Sequence, residues 1–162
     1  MPACLEIDTD APLLFLINAA AGSNDADKKR EIIEAALHAG GRRGELRFCR
    51  PSELAAVAHE AAAQAATTRT AVVAVGGDGT LNTVAQAAHA VGCAMGVVPQ
   101  GTFNYFARTH GIAADPADAV RELLASTPGT LRPRMALYGY LASTSPSTQS
   151  RSVSLPGNTL MK

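Results

Sequence analysis

Five consecutive apolar residues, Leu13-Leu14-Phe15-Leu16-Ile17, offer no position suited to water before Asn18, and Ala71-Val72-Val73-Ala74-Val75 repeats the pattern. A half-exposed strand alternates apolar and polar residues, whereas a strand buried on both faces of a parallel sheet does not. The two runs therefore predict interior strands over 13–17 and 70–75, and segments 45–49 and 94–98 supply two more. The intervening segments change period. Ile32, Ile33, Ala36 and Leu37 recur at helical spacing, predicting a helix from about Lys28 to Ala39 with Asn24, Asp25 and Asp27 as N-cap candidates and Gly40-Gly41 as its stop. Ser52, after Pro51, is suited to cap a second helix reaching about Ala66, whose stripe of Leu54, Val57, Ala58, Ala61 and Ala65 is small enough for close packing. Leu81, Val84, Ala85, Ala88 and Val91 predict a third helix ending at Gly92. Asp115-Pro116 opens a fourth through Val120, Leu123 and Leu124, closing near 126–129.

The order βαβαβαβ predicts an α/β fold, a doubly wound parallel sheet with right-handed crossovers and helices on both faces. One domain is expected over residues 1–130. Beyond Arg132 the periodicity stops, and 143–158 is rich in Ser, Thr and Pro. A disordered tail over 131–162 is expected, of a composition that a truncated or frame-shifted reading frame would produce.

Composition narrows the function. With 47% hydrophobic residues among 162, one domain can bury a real core. Lys+Arg and Asp+Glu are 14 each, so no overall field is available to hold nucleic acid. Cys4, Cys49 and Cys93 lie far apart without a CxxC pair, which fits a reducing cytoplasm better than a disulfide framework or zinc site. The apolar run at 13–17 is short and follows Glu6, Asp8 and Asp10, unlike a secretion signal. His38, His59, His89 and His110 lack metal-ligand spacing. Lys28-Lys29-Arg30 with Arg42-Arg43 could form a basic patch facing anionic lipid, although a solvated helix face is the default reading.

The chemistry is concentrated after two strands. Gly76-Gly77-Asp78-Gly79-Thr80 lies between a buried strand and a helix, where glycines admit an anion close to main-chain N–H groups. Asp78-Gly79 would also suit a hairpin turn, but the helical spacing of 81–91 argues against one. Neither the Walker A nor the GxGxxG pattern is present. The second constellation runs from Pro99 through Gln100, Gly101, Thr102 and Asn104 to Arg108. Loops leaving the carboxyl ends of parallel strands line one crevice, so Asn18, 76–80 and 101–104 should converge. For Thr102 or Asn104 the simpler role is capping the next helix, and for Asp78 an Asx turn within its own loop.

Asn18 to Gly22, Gly76 to Asn82 and Pro99-x-Gly-Thr-x-Asn-x-x-Ala-Arg resemble the diacylglycerol kinase catalytic-domain family, in order and spacing over roughly residues 13–128. The first glycine block alone also occurs in NAD kinases and phosphofructokinases; the Pro99 block makes the likeness specific. The resemblance implies ATP binding, Mg²⁺ assistance and transfer of the γ-phosphate to a lipid hydroxyl such as that of diacylglycerol. It implies nucleotide contacts from Asn18, Gly76, Gly77, Asp78, Gly79, Thr80, Leu81, Asn82, Gly101, Thr102 and Asn104, with Asp78 reaching the metal through water.

Several positions depart from the family pattern. Ala19-Ala20-Ala21 stands where a proline is usual, Tyr105 replaces an aspartate, and Cys49 lies near a nucleotide-contacting threonine position, where a small buried hydrophobe is the simpler reading. The family's catalytic base, metal ligands and lipid site belong to a second, β-rich domain that 132–162 does not resemble. The expectations are therefore a cytoplasmic lipid kinase fragment of low activity, in peripheral contact with the inner membrane surface. Its uncovered flank would favour homo-oligomers. Alternatives are an NAD-kinase-like enzyme and an inactive nucleotide-binding fragment.

Overall fold

Leu13, Leu14, Phe15, Leu16 and Ile17 are completely inaccessible to solvent, as are Val72, Val73, Ala74 and Val75. Each strand must therefore be covered on both sides. The computed structural model describes residues 7–19 and 23–125. The expected tail over 131–162, the helix closure near 126–129, most of the loop after Asn18 and Cys4 lie outside the described residues.

The elements are β1 (Leu13–Asn18), α1 (Ser23–Ala39), β2 (Gly44–Cys49), α2 (Leu54–Thr68), β3 (Ala71–Gly76), α3 (Asp78–Val91), β4 (Ala94–Pro99), α4 (Tyr105–Thr109) and α5 (Pro116–Leu124). All four strands are parallel, in the order β2-β1-β3-β4. Alternate side chains of the inner strands feed two cores. Leu14, Leu16, Val72, Ala74, Met95 and Val97 pack with α2 and α3 on one face. Phe15, Ile17, Val73, Val75 and Val98 pack with α1 and α5 on the other. The sheet is thus doubly wound, as the alternation of runs predicted.

The packing is close where side chains are small. Ala58, Ala61, Ala62 and Ala65 of α2 are fully buried in one cluster with Ala85, Ala87 and Ala88 of α3. On the opposite face a Cβ at Gly96 would come within 2.8 Å of Leu123 Cδ1, so α5 uses the space that glycine leaves on β4.

Helix starts differ most from expectation. α1 begins at Ser23, five residues before Lys28, because acids favoured as caps are also favoured in a first turn: Asp25 lies there and pairs with Lys29 at 2.6 Å. Ser52 does not cap α2. The Glu53 and Leu54 N–H groups both donate to the Arg50 carbonyl, forming a turn that puts Glu53 at the N-cap. α5 starts as read, with the Asp115 carboxylate accepting from the Asp118 N–H and Pro116 next to it.

The basic residues do not form one patch. Lys29 pairs with Asp25, while Arg30 pairs with Glu34 and lies over the Phe48 ring. Arg43 donates to the Asp10 carbonyl beyond the other end of α1. About 15 Å of helix, from Lys29 to Ala39, separates the two groups.

Candidate functional site

Register alone assembles the site. Ile17 is level with Val75, and Val75 with Val98, so Asn18, Gly76 and Pro99 end their strands side by side. β1 and β3 are neighbours, yet the chain leaves β1 towards β2 and leaves β3 towards β4. Their carboxyl ends therefore form the topological switch point, where an open α/β sheet leaves a crevice.

The glycine stretch is shorter as a loop than its sequence indicates. Gly76 closes β3, Gly77 is the N-cap of α3, and Asp78, Gly79 and Thr80 form its first turn. Gly77 makes no side-chain cap, and the first helical hydrogen bond runs from the Leu81 N–H to the Gly77 carbonyl. A helix start leaves its first N–H groups without intrahelical partners, and α3 directs the positive end of its dipole into the crevice.

A second loop crosses directly over this helix start. The Gln100 N–H donates to the Gly76 carbonyl at 2.8 Å, bringing Gly101 against Gly77. A Cβ on Gly101 would be 2.6 Å from Gly77 Cα, and one on Gly77 would be 3.3 Å from Gly101 Cα. Glycine is needed here for backbone approach. Gly76 is confined differently, since a Cβ there would meet Thr80 Oγ1 at 2.7 Å.

The polar groups divide into two sets. Asp78 makes no Asx turn. Its two carboxylate oxygens accept the Tyr105 and Phe106 N–H groups, each at 3.2 Å, and so cap α4 from another element. Asn104, at the N-cap of α4 with φ +47°, does not cap it; its Oδ1 accepts from the Gly101 N–H at 2.7 Å. Asn18 Nδ2 donates to Thr80 Oγ1 at 3.3 Å, tying the ends of β1 and β3 together. Thr80 and Leu81 are buried, and Leu81 belongs to the core. Their side chains are therefore packed within the protein and help to hold the start of α3 in place.

Gly79 and Thr102 are exposed. The amide oxygens Asn82 Oδ1 and Gln100 Oε1 are buried without a hydrogen-bond partner. Such acceptors require a donor. Gln100 lies within the Pro99 constellation but is not among the nucleotide contacts that the resemblance implies; its place directly after a strand end, between Pro99 and Gly101, is the signal for it. Among the described residues no group of three or more His, Cys, Asp or Glu is placed to hold a metal. Cys49, at the carboxyl end of β2, is buried, with Sγ 3.6 Å from the Ile17 carbonyl oxygen. Burial first, and then the Glu53 charge, push its thiol upward. Burial pushes Cys93 up to about 11. Both are protonated core residues at neutral pH.

Replacing Asp78 with alanine is expected to cost about 1 kcal/mol even without ligand, the usual loss of a helix cap. Hydrogen exchange at 105–110 should accelerate. A carboxylate that served only a metal would leave exchange there unchanged.

The chain belongs to the diacylglycerol kinase catalytic domain family, whose model matches residues 12–132. A crystal structure of a diacylglycerol kinase from Bacillus anthracis str. Sterne is similar at TM-score 0.58 and 22% identity, over 70% of this chain and 41% of that one. Two provisionally assigned diacylglycerol kinases from the same strain match at TM-scores 0.59 and 0.56, with 22% and 23% identity, over 74% and 70% of this chain and 40% of each of theirs. This chain thus spans about 40% of the length of these structures. No curated protein matched. No helix among the described residues is long and apolar enough to cross a membrane.

Proposed function

We propose that residues 7–125 are the ATP-binding part of a lipid kinase of the diacylglycerol kinase type. In this reading the nucleotide's phosphates rest on the α3 N-terminus, and a lipid hydroxyl, as in diacylglycerol, receives the γ-phosphate. The observation that supports this most is the Gly77–Gly101 crossing, because its backbone approach leaves a side-chain-free anion cradle at the switch point. The residues present fit a hydrated Mg²⁺ carried by nucleotide, which takes few protein carboxylates. Asp78 alone is available, and its oxygens keep lone pairs beyond those used on α4.

Mg-ATP, when bound, supplies the transferable phosphoryl group and neutralises its charge. The N–H groups of Asp78 and Gly79 would donate to phosphate, and the Asp78 carboxylate would help to hold a hydrated Mg²⁺. Asn104 holds the crossing loop through its bond to the Gly101 N–H. Phosphoryl transfer depends on positioning, so the acceptor side must be equally fixed. We assign it and the general base to no residue among 7–125, because Asp78, the carboxylate at this cradle, already holds α4. Residues 1–162 alone are therefore expected to bind Mg-ATP yet transfer little phosphate to diacylglycerol vesicles.

The test is calorimetric titration with Mg-ATP of the chain and of Thr102→Val. The variant should lose about 1 kcal/mol of binding, one ordinary hydrogen bond, with its circular dichroism unchanged. Absence of ATP binding, or tighter binding of NAD, would refute the proposal.

A further inference from the structure

The large apolar side chains exposed among the described residues are Val91, Phe103 and Tyr105. Two of the three are stacked on each other. Phe103 and Tyr105 are 62% and 65% exposed, with ring centroids 5.6 Å apart and planes within 11°. Ordering two large aromatic rings in water is unfavourable unless something covers them.

Their support is rigid. Ala107 is buried and the half-buried Phe106 packs against the α2–α3 core, so α4 is fixed by its inner side. The Asp78 carboxylate caps its start. Arg108 is exposed and lies three residues after Tyr105, on the same side of the helix. Residues 99–114 contain Arg108 and His110 but no Asp or Glu. The acids that flank the segment are turned to its backbone or to the next helix: Asp78 accepts the Tyr105 and Phe106 N–H groups, Glu122 accepts the Ala113 N–H, and Asp115 caps α5. A projecting aromatic pair with a cation beside it, in a segment free of acids, complements a lipid surface: rings enter the headgroup region and arginine meets anionic headgroups.

We propose that Phe103, Tyr105 and Arg108 form a docking edge for an anionic bilayer, seated at the mouth of the crevice. The proposal deepens the lipid-kinase reading and rests on it for its purpose, since an acceptor held in a bilayer must be met at its surface. It also relocates membrane contact, because Lys29 and Arg30 of α1 are already engaged within the protein.

The chain contains no tryptophan, so a single introduced indole reports its own surroundings. F103W is compared with V91W, which marks the carboxyl end of α3, about 20 Å of helix away from the crevice. Each is mixed, without ATP, with equimolar phosphatidylcholine–phosphatidylglycerol vesicles, with phosphatidylcholine vesicles, and with vesicles carrying brominated acyl chains. F103W emission should shift to the blue and be quenched by bromine with the anionic vesicles, while V91W should not change. In co-sedimentation, the F103S/Y105S double variant should bind at least tenfold less and R108E about fivefold less. No shift in F103W, equal response of V91W, or equal binding to uncharged vesicles would overturn the proposal. So would a blue shift without vesicles that grows with protein concentration, which would assign the edge to a second copy of the chain. Because vesicle binding is read without nucleotide, and ATP titration without vesicles, failure of this proposal and failure of the kinase reading are separable.

Discussion

Replacing Gly101 with valine is expected to destabilise the domain by about 2 kcal/mol or more and to reduce Mg-ATP affinity at least tenfold. The first methyl-bearing carbon would lie 2.6 Å from Gly77 Cα and 2.9 Å from Asn104 Oδ1. Neither obstacle can yield cheaply. Gly77 Cα is backbone at the start of α3, and Asn104 is held by its bond to the Gly101 N–H. Relief requires separating the two loops, which breaks the Gln100–Gly76 hydrogen bond and moves the α4 start away from Asp78. Overpacking of this kind costs about 1–3 kcal/mol before the lost hydrogen bonds are counted. Thermal melting of the ligand-free protein measures the first effect, and calorimetry near 20 °C, where both proteins remain folded, measures the second. An unchanged melting temperature would mean that the crossing is not a rigid feature.

Replacing Gly79 with alanine should separate stability from binding. Gly79 lies in the first turn of α3, is exposed, and a Cβ there would meet nothing within 4 Å. Alanine is the better helix residue, and it restricts the unfolded chain, so stability should rise by about 0.5–1 kcal/mol. Helical Cβ atoms lean towards the N-terminus, so the new methyl would project over the N–H groups assigned to phosphate. Mg-ATP affinity should therefore fall about tenfold while the melting temperature increases. A stabilised variant with undiminished affinity would move the phosphates away from this turn.

The interior strands were legible because burial on both faces removes every polar position, which 13–17 and 71–75 display without ambiguity. The helices were legible in their cores and less so at their starts. Asp25 fits both a cap and a first turn, and Ser52 was displaced by the turn that the Arg50 carbonyl forms, a choice made by backbone geometry. The convergence of Asn18, 76–80 and 101–104 followed from strand polarity alone. What each side chain does there did not. Asp78 holds a helix 27 positions away, and Thr80 is turned inward onto Asn18; both facts require the strands to be in register first. The short helix α4 escaped notice because five residues show no period, and the Phe103–Tyr105 stack depends on its orientation. The cationic residues near 28–30 and 42–43 looked like one patch only in the absence of the helix between them.

The central claim is that Mg-ATP's phosphates sit on the first turn of α3 beneath the Gly101 loop. Two-dimensional amide NMR during a Mg-ATP titration tests it residue by residue. The account predicts that the N–H signals of Asp78 and Gly79, together with those of Gly101 and Thr102, shift in proportion to occupancy while those of Val120 to Leu124 in α5 stay in place. Saturable shifts confined to other residues, or no shift at all, would contradict it.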